Sequence, residues 1–116
     1  MILNSILIAD SCTLRRFALK TLISQQNIFK VIGEAEDRES LYETINEFSP
    51  QLIIIDFLSD GFDIETIVSL KRDYPLIKIL AITAVQRSNV FVSAMRAGVD
   101  SYIKKSCSIE EVVEAI

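Results

Sequence analysis

The chain has 116 residues, half of them hydrophobic, with three glycines, two prolines, no histidine and a net charge of −4. That length suits one domain with a substantial core, and the low glycine and proline content excludes a disordered or collagen-like chain. Negative charge argues against nonspecific nucleic-acid binding, which needs a basic stripe, and the missing histidine excludes histidine-based acid–base catalysis and most zinc sites.

The first strand is expected at Ile6-Leu7-Ile8-Ala9, a short apolar run that ends at Asp10. From Thr13 the period becomes helical, and Leu14, Phe17, Ala18, Thr21 and Leu22 form a stripe expected to face the core. Phe29 to Ala35 returns to strand character. Asp37 offers an N-cap to a second helix carrying Leu41, Ile45 and Phe48, closed by Ser49-Pro50. Next comes "LIIIDFLSD", residues 52–60. Leu52-Ile53-Ile54-Ile55 is apolar at successive positions, so it reads as a strand buried on both faces in the middle of a parallel sheet. Asp56 sits where that strand ends.

A third helix is expected from Asp63, with Ile64, Ile67 and Val68 inward, ending before Pro75. Ile77 to Ile82 makes a fourth strand that stops at Thr83. Ser88 to Ala97 makes a fourth helix with Gly98 as its C-cap, and Ser101 to Lys104 a short fifth strand. Ser108 and Glu111 form a capping box for a last helix that is still running at Ile116. Five βα units in order imply one doubly wound α/β domain over residues 1–116, with helices on both faces and right-handed crossovers. No apolar stretch approaches membrane-spanning length and no leader pattern opens the chain. A cytoplasmic protein is expected, with Cys12 and Cys107 as reduced thiols.

What ends each strand is informative. Asp10, Asp56 and Thr83 close strands one, three and four, and strand five leads to Lys105. In open α/β sheets such ends converge on one crevice. Two carboxylates there can hold a hard cation such as Mg²⁺, and one can act as a nucleophile toward a phosphoryl group. A hydroxyl and an ammonium can bind the phosphoryl oxygens.

These residues resemble a response-regulator receiver domain over essentially the whole chain. "ILIADS" matches the acidic first loop, "IIIDFLSDGFD" the phosphoacceptor loop, "LAITA" the switch threonine, and "GVDSYIKKS" the aromatic and lysine of strand five. "GEAEDRESLYETI" and "AMRAGVDSYIKK" have counterparts in the NarL/LuxR-type subgroup. The resemblance implies a five-stranded flavodoxin-like sheet of order 2-1-3-4-5. It also implies Asp56 as phosphoacceptor, Asp10 on Mg²⁺ together with Asp56 and the Leu58 backbone carbonyl, and Thr83 and Lys105 on the phosphoryl oxygens. Tyr102 would be the aromatic that turns on activation, although packing alone also explains an aromatic on a strand.

Departures from the family pattern accompany the resemblance. The family normally has two adjacent acids after strand one, and here Ser11 follows Asp10, so Mg²⁺ is expected to bind weakly, with Ser11 as a neutral or water-mediated ligand. Ser59-Asp60 replaces the usual Met-Pro before Gly61, and Ser106 replaces the common proline after Lys105.

The function expected first is a phosphoacceptor domain served by a histidine kinase or phosphotransfer protein and controlling a DNA-binding output, without touching nucleic acid itself. The alternative is a receiver-like dimerisation module that works without phosphorylation. An enzyme on this fold is not expected, because Leu58 stands where a dehalogenase-type phosphatase needs an acid, and no glycine-rich phosphate loop is present. For a partner surface, helix geometry places Leu19 and Ile23 opposite the expected core stripe, ringed by Arg15, Arg16 and Lys20. The last helix is left with Glu110, Glu111 and Glu114 outward. A homodimer through the first and last helices is expected, with Leu19, Ile23, Arg15, Glu110 and Glu114 in contact.

Overall fold

A computed structural model describes residues 4–26, 29–56, 62–83 and 88–104. The elements alternate as β1 (Asn4–Ala9), α1 (Thr13–Ser24), β2 (Phe29–Ala35), α2 (Arg38–Phe48), β3 (Leu52–Asp56), α3 (Ile64–Asp73), β4 (Lys78–Thr83), α4 (Ser88–Ala97) and β5 (Ser101–Lys104). They form one five-stranded parallel sheet of order β2-β1-β3-β4-β5, the doubly wound arrangement expected above. The expected last helix, including Ser108, Glu110, Glu111 and Glu114, lies outside the described residues.

Every residue of β3 is buried, as the unbroken apolar run requires of a strand covered on both faces. Alternation divides its side chains between two cores. Ile53 and Ile55 join Leu7, Leu41, Ile67 and Leu70 on the side of α2 and α3, while Leu52 and Ile54 join Ile6, Ile8, Ile23 and Leu80 on the side of α1. Phe62, just before α3, is also fully enclosed.

The helix starts at Asp37 and Asp63 form as the sequence suggests. Each carboxylate accepts from the backbone N–H three residues on, and the Ser40 or Thr66 hydroxyl there accepts from the cap's own N–H, satisfying donors that a helix start leaves open. At Gly33 the helix α2 comes so close that an added Cβ would lie 2.5 Å from the Thr44 methyl. After α4 the chain turns at Gly98, whose φ of 112° suits only glycine. A Cβ there would also press on the stem of Lys71, whose ammonium reaches Asp100 at 2.7 Å and the Ile77 carbonyl at 3.1 Å.

Two helix faces differ from expectation. On α1 the stripe Leu14, Phe17, Ala18, Thr21 and Leu22 faces solvent, with Leu14 76% and Phe17 66% exposed. Ile23 is fully buried and Leu19 packs against the β1–β3–β4 core, so these two are core residues rather than a partner surface. The physical reason is Arg16. It lies on the inward stripe with Leu19 and Ile23, its side chain only 11% exposed, because its guanidinium donates to the Asp10 carbonyl and to Glu34 Oε1. A charged residue on the inner face conceals the hydrophobic period. On α3, Val68 is exposed, while Thr66, Ile67, Ser69 and Leu70 turn inward.

Candidate functional site

Parallel pairing brings the strand ends to one edge. β1 and β3 run in register from Ile6 beside Leu52 to Ala9 beside Ile55, so the next residues, Asp10 and Asp56, emerge side by side. Both are buried, 3% and 4% exposed. β4 is the next strand, with Ile82 beside Asp56 and Thr83 one step on, 1% exposed. Thr83 is in turn level with Lys104 of β5. The structure therefore brings together three of the four expected strand-end groups. Lys105 and Leu58 lie outside the described residues. Ser11 is half-buried beside Asp10, and Ala9, which precedes Asp10, is buried and apolar. Neither neighbour supplies a second acid.

Asp10 is held from every side. Its N–H donates to the Ala35 carbonyl of β2 at 3.0 Å, and its own carbonyl accepts from Arg16 Nη1. Its Oδ1 accepts from the Cys12 backbone N–H at 2.8 Å, a local turn of the kind aspartate favours where a strand gives way to a helix. Buried carboxylates need such partners, since an unpaired charge in the interior is costly.

The main surprise is Arg15. Its Nε donates to Asp10 Oδ2 at 2.9 Å and its Nη2 to Asp10 Oδ1 at 3.1 Å, a two-pronged grip on one carboxylate. The same Nη2 donates to Asp56 Oδ2 at 3.0 Å. One nitrogen thus bridges the two acids. The hydrogen bonds to Asp10, opposed by partial burial and helped by the charges of Asp10 and Asp56, hold the guanidinium even further above its already high titration range, so its charge is permanent. Arg15 is therefore a pocket residue, which corrects the expectation that it belongs to a dimer surface. A signal for this was present. An arginine in the first turn of a helix projects back toward the helix N-terminus, and Arg15 stands five positions past Asp10.

Tyr102 of β5 is half-buried against the core. Its ring meets Phe91 of α4 edge to face, with centroids 5.2 Å apart and planes at 89°, and burial pushes its hydroxyl pKa up. The ring contact joins β5 to α4. Among the described residues no three His, Cys, Asp or Glu side chains cluster as a metal site, and no helix is long and apolar enough to cross a membrane.

Residues 6–116 match the response regulator receiver domain family. The response regulator protein VraR of Staphylococcus saprophyticus is 33% identical over 112 residues, covering 96% of this chain and 54% of that protein. VraR of Staphylococcus aureus strain NCTC 8325 is 31% identical with the same coverage. The chain thus spans about half the length of these curated relatives. Among solved structures, a DNA-binding response regulator of the LuxR family from Staphylococcus aureus superposes with a TM-score of 0.88 at 28% identity, covering 97% of this chain and 95% of that one. A LuxR-family two-component response regulator from Aurantimonas sp. SI85-9A1 gives 0.89 at 25% identity, covering 98% and 82%.

Proposed function

This chain belongs to the response regulator receiver domain family, and on that basis we propose that Asp56 is its phosphoacceptor. The observation that carries the reading is the placement of Asp56: a buried carboxylate at the end of a central strand, beside a second carboxylate and one step from the buried Thr83 hydroxyl. A carboxylate oxygen of Asp56 attacks the phosphorus of a phosphohistidine on a histidine kinase or phosphotransfer protein. The new O–P bond forms as the P–N bond breaks, and the electron pair leaves with the imidazole nitrogen, which takes a proton from solvent.

Two carboxylates form a donor set that fits a hard cation. Asp10 and Asp56 would hold Mg²⁺, joined by the Leu58 carbonyl according to the family pattern. When bound, it supplies positive charge to the phosphoryl oxygens. With two acids rather than three, and Ser11 giving a neutral oxygen, binding is expected to be weak. Thr83 and Lys105 would take phosphoryl oxygens, drawing the end of β4 inward, and the edge-on contact of Tyr102 with Phe91 would carry the change to the α4–β5 face. The experiment is to treat the protein with phosphoramidate and Mg²⁺ and to map the adduct by peptide mass spectrometry, following Phe91 and Tyr102 by NMR. A phosphate on Asp56 with shifts at both rings is expected. An adduct elsewhere, or none, would overturn the acceptor assignment, and static rings on a phosphorylated protein would overturn the switch.

The output served by this domain is proposed to be DNA-binding, as in the LuxR-family relative. A homodimer keeps its place in the proposal with a different surface. The apolar face that α1 shows to solvent is Leu14, Phe17 and Leu22, and a second copy carries a matching stripe. Glu110 and Glu114, which the sequence pattern assigned to the dimer contact, lie outside the described residues. Light scattering is expected to show a dimer for the wild type and monomers for Leu14→Asp and Phe17→Asp. A wild type monomeric at high concentration, or variants that dimerise unchanged, would remove this surface. One observation favours the phosphorylation-independent reading as a second choice: Arg15 already pairs with both acids and offsets one of their two charges.

A further inference from the structure

Arg15 was not among the residues that sequence or family pattern assigned to the pocket, yet its guanidinium is shared between both buried acids. We propose that Arg15 is a built-in counter-ion that competes with Mg²⁺ for Asp10 and Asp56, so that the pocket holds either the guanidinium or the metal. The inference rests on the reading of this pocket as the cation site.

Three observations carry it. First, Nη2 lies within 3.1 Å of an oxygen of each acid. A Mg²⁺ ion bound to the same two oxygens must approach each to about 2.1 Å, which sets it within repulsive distance of a cationic nitrogen hydrogen-bonded to both. Second, both oxygens of Asp10 are engaged by Arg15, and Oδ1 also by the Cys12 N–H. Coordination by Asp10 therefore replaces contacts already made rather than adding to them. Third, the Arg15 side chain is 45% exposed while the carboxylates are 4% and 3% exposed. The guanidinium reaches in from solvent and can withdraw to it without repacking the core, and two cations in one small pocket repel.

Competition of this kind lowers apparent affinity by the fraction of molecules in which the pocket is open. The cost of releasing a forked, charge-assisted pair sets that fraction at about one tenth or less.

The test is a calorimetric titration with Mg²⁺ of the wild type, Arg15→Ala and Arg15→Gln, together with NMR of the arginine Nε–H groups of the wild type during the same titration. The expected result is at least about tenfold tighter binding in the variants, and a shift of the Arg15 Nε–H signal that saturates with the metal. Equal or weaker affinity in the variants overturns the competition and leaves the cation site standing. Absence of binding in all three proteins overturns both. An Arg15 signal unmoved at saturating Mg²⁺ overturns the competition without recourse to any variant, which covers a variant too unstable to titrate.

Discussion

Asparagine at position 56 is expected to abolish phosphate uptake while leaving the fold in place. The amide is nearly the same size as the carboxylate, so β3 and its neighbours keep their packing, but a neutral amide oxygen is no nucleophile toward phosphorus. Stability falls little. Arg15 loses a charged acceptor in Asp56 and keeps its fork on Asp10, so no cation is stranded, and a cost of about 1 kcal/mol is expected. Removing one of two carboxylates also weakens Mg²⁺ binding. Intact-mass spectrometry after phosphoramidate treatment gives the first result and urea unfolding the second. Uptake by Asp56→Asn at the wild-type rate would assign the phosphate to another residue.

Alanine at position 10 is expected to damage both stability and chemistry. It deletes the acceptor of the Cys12 N–H and the whole fork of Arg15. The guanidinium is left with a single hydrogen bond to Asp56. Hydrogen bonds to charged groups contribute about 1.5–3 kcal/mol each, and the nearly half-exposed Arg15 side chain discounts its share, so a loss of about 2 kcal/mol is expected. Asp10→Asn should recover part of this, since its amide oxygen still accepts from Cys12. Mg²⁺ binding should weaken by on the order of tenfold or more, because carboxylate charge is what holds a hard cation, and phosphate uptake should fall with it. Denaturant midpoints and metal titration of the two variants check these expectations. Wild-type stability in Asp10→Ala would mean that the fork contributes nothing to the fold.

The central strands were legible because a parallel sheet writes itself as apolar runs, and the runs in β1, β3 and β4 each give way to one polar residue, Asp10, Asp56 or Thr83. Helices α2 and α3 announced their starts through Asp37 and Asp63, whose cap chemistry is local. The orientation of α1 was not legible. It carries apolar residues on both faces, and the inner face includes Arg16, whose reason for being there is the Asp10 carbonyl and Glu34, partners that only the folded chain assembles. The pocket divides in the same way. Strand ends locate Asp10, Asp56 and Thr83, because the topology alone brings them together. The role of Arg15 depends on a side chain reaching back over a helix start to an acid 41 positions away, and no periodicity records that.

The sheet order has a consequence for how the domain assembles over time. Asp10 and Arg15 are five positions apart and can meet as soon as α1 forms. Asp56 is 41 positions from Arg15 and meets it only where β3 has paired beside β1. Such distant parallel pairings carry the loop-closure cost that makes folding slow, so the second half of the Arg15 bridge depends on long-range contacts that the first half does not need. Contacts made after the barrier hardly change the rate of folding and instead slow unfolding. A bridge that closes last in this way would act as a latch on β3, prolonging the lifetime of the finished sheet without hastening its formation.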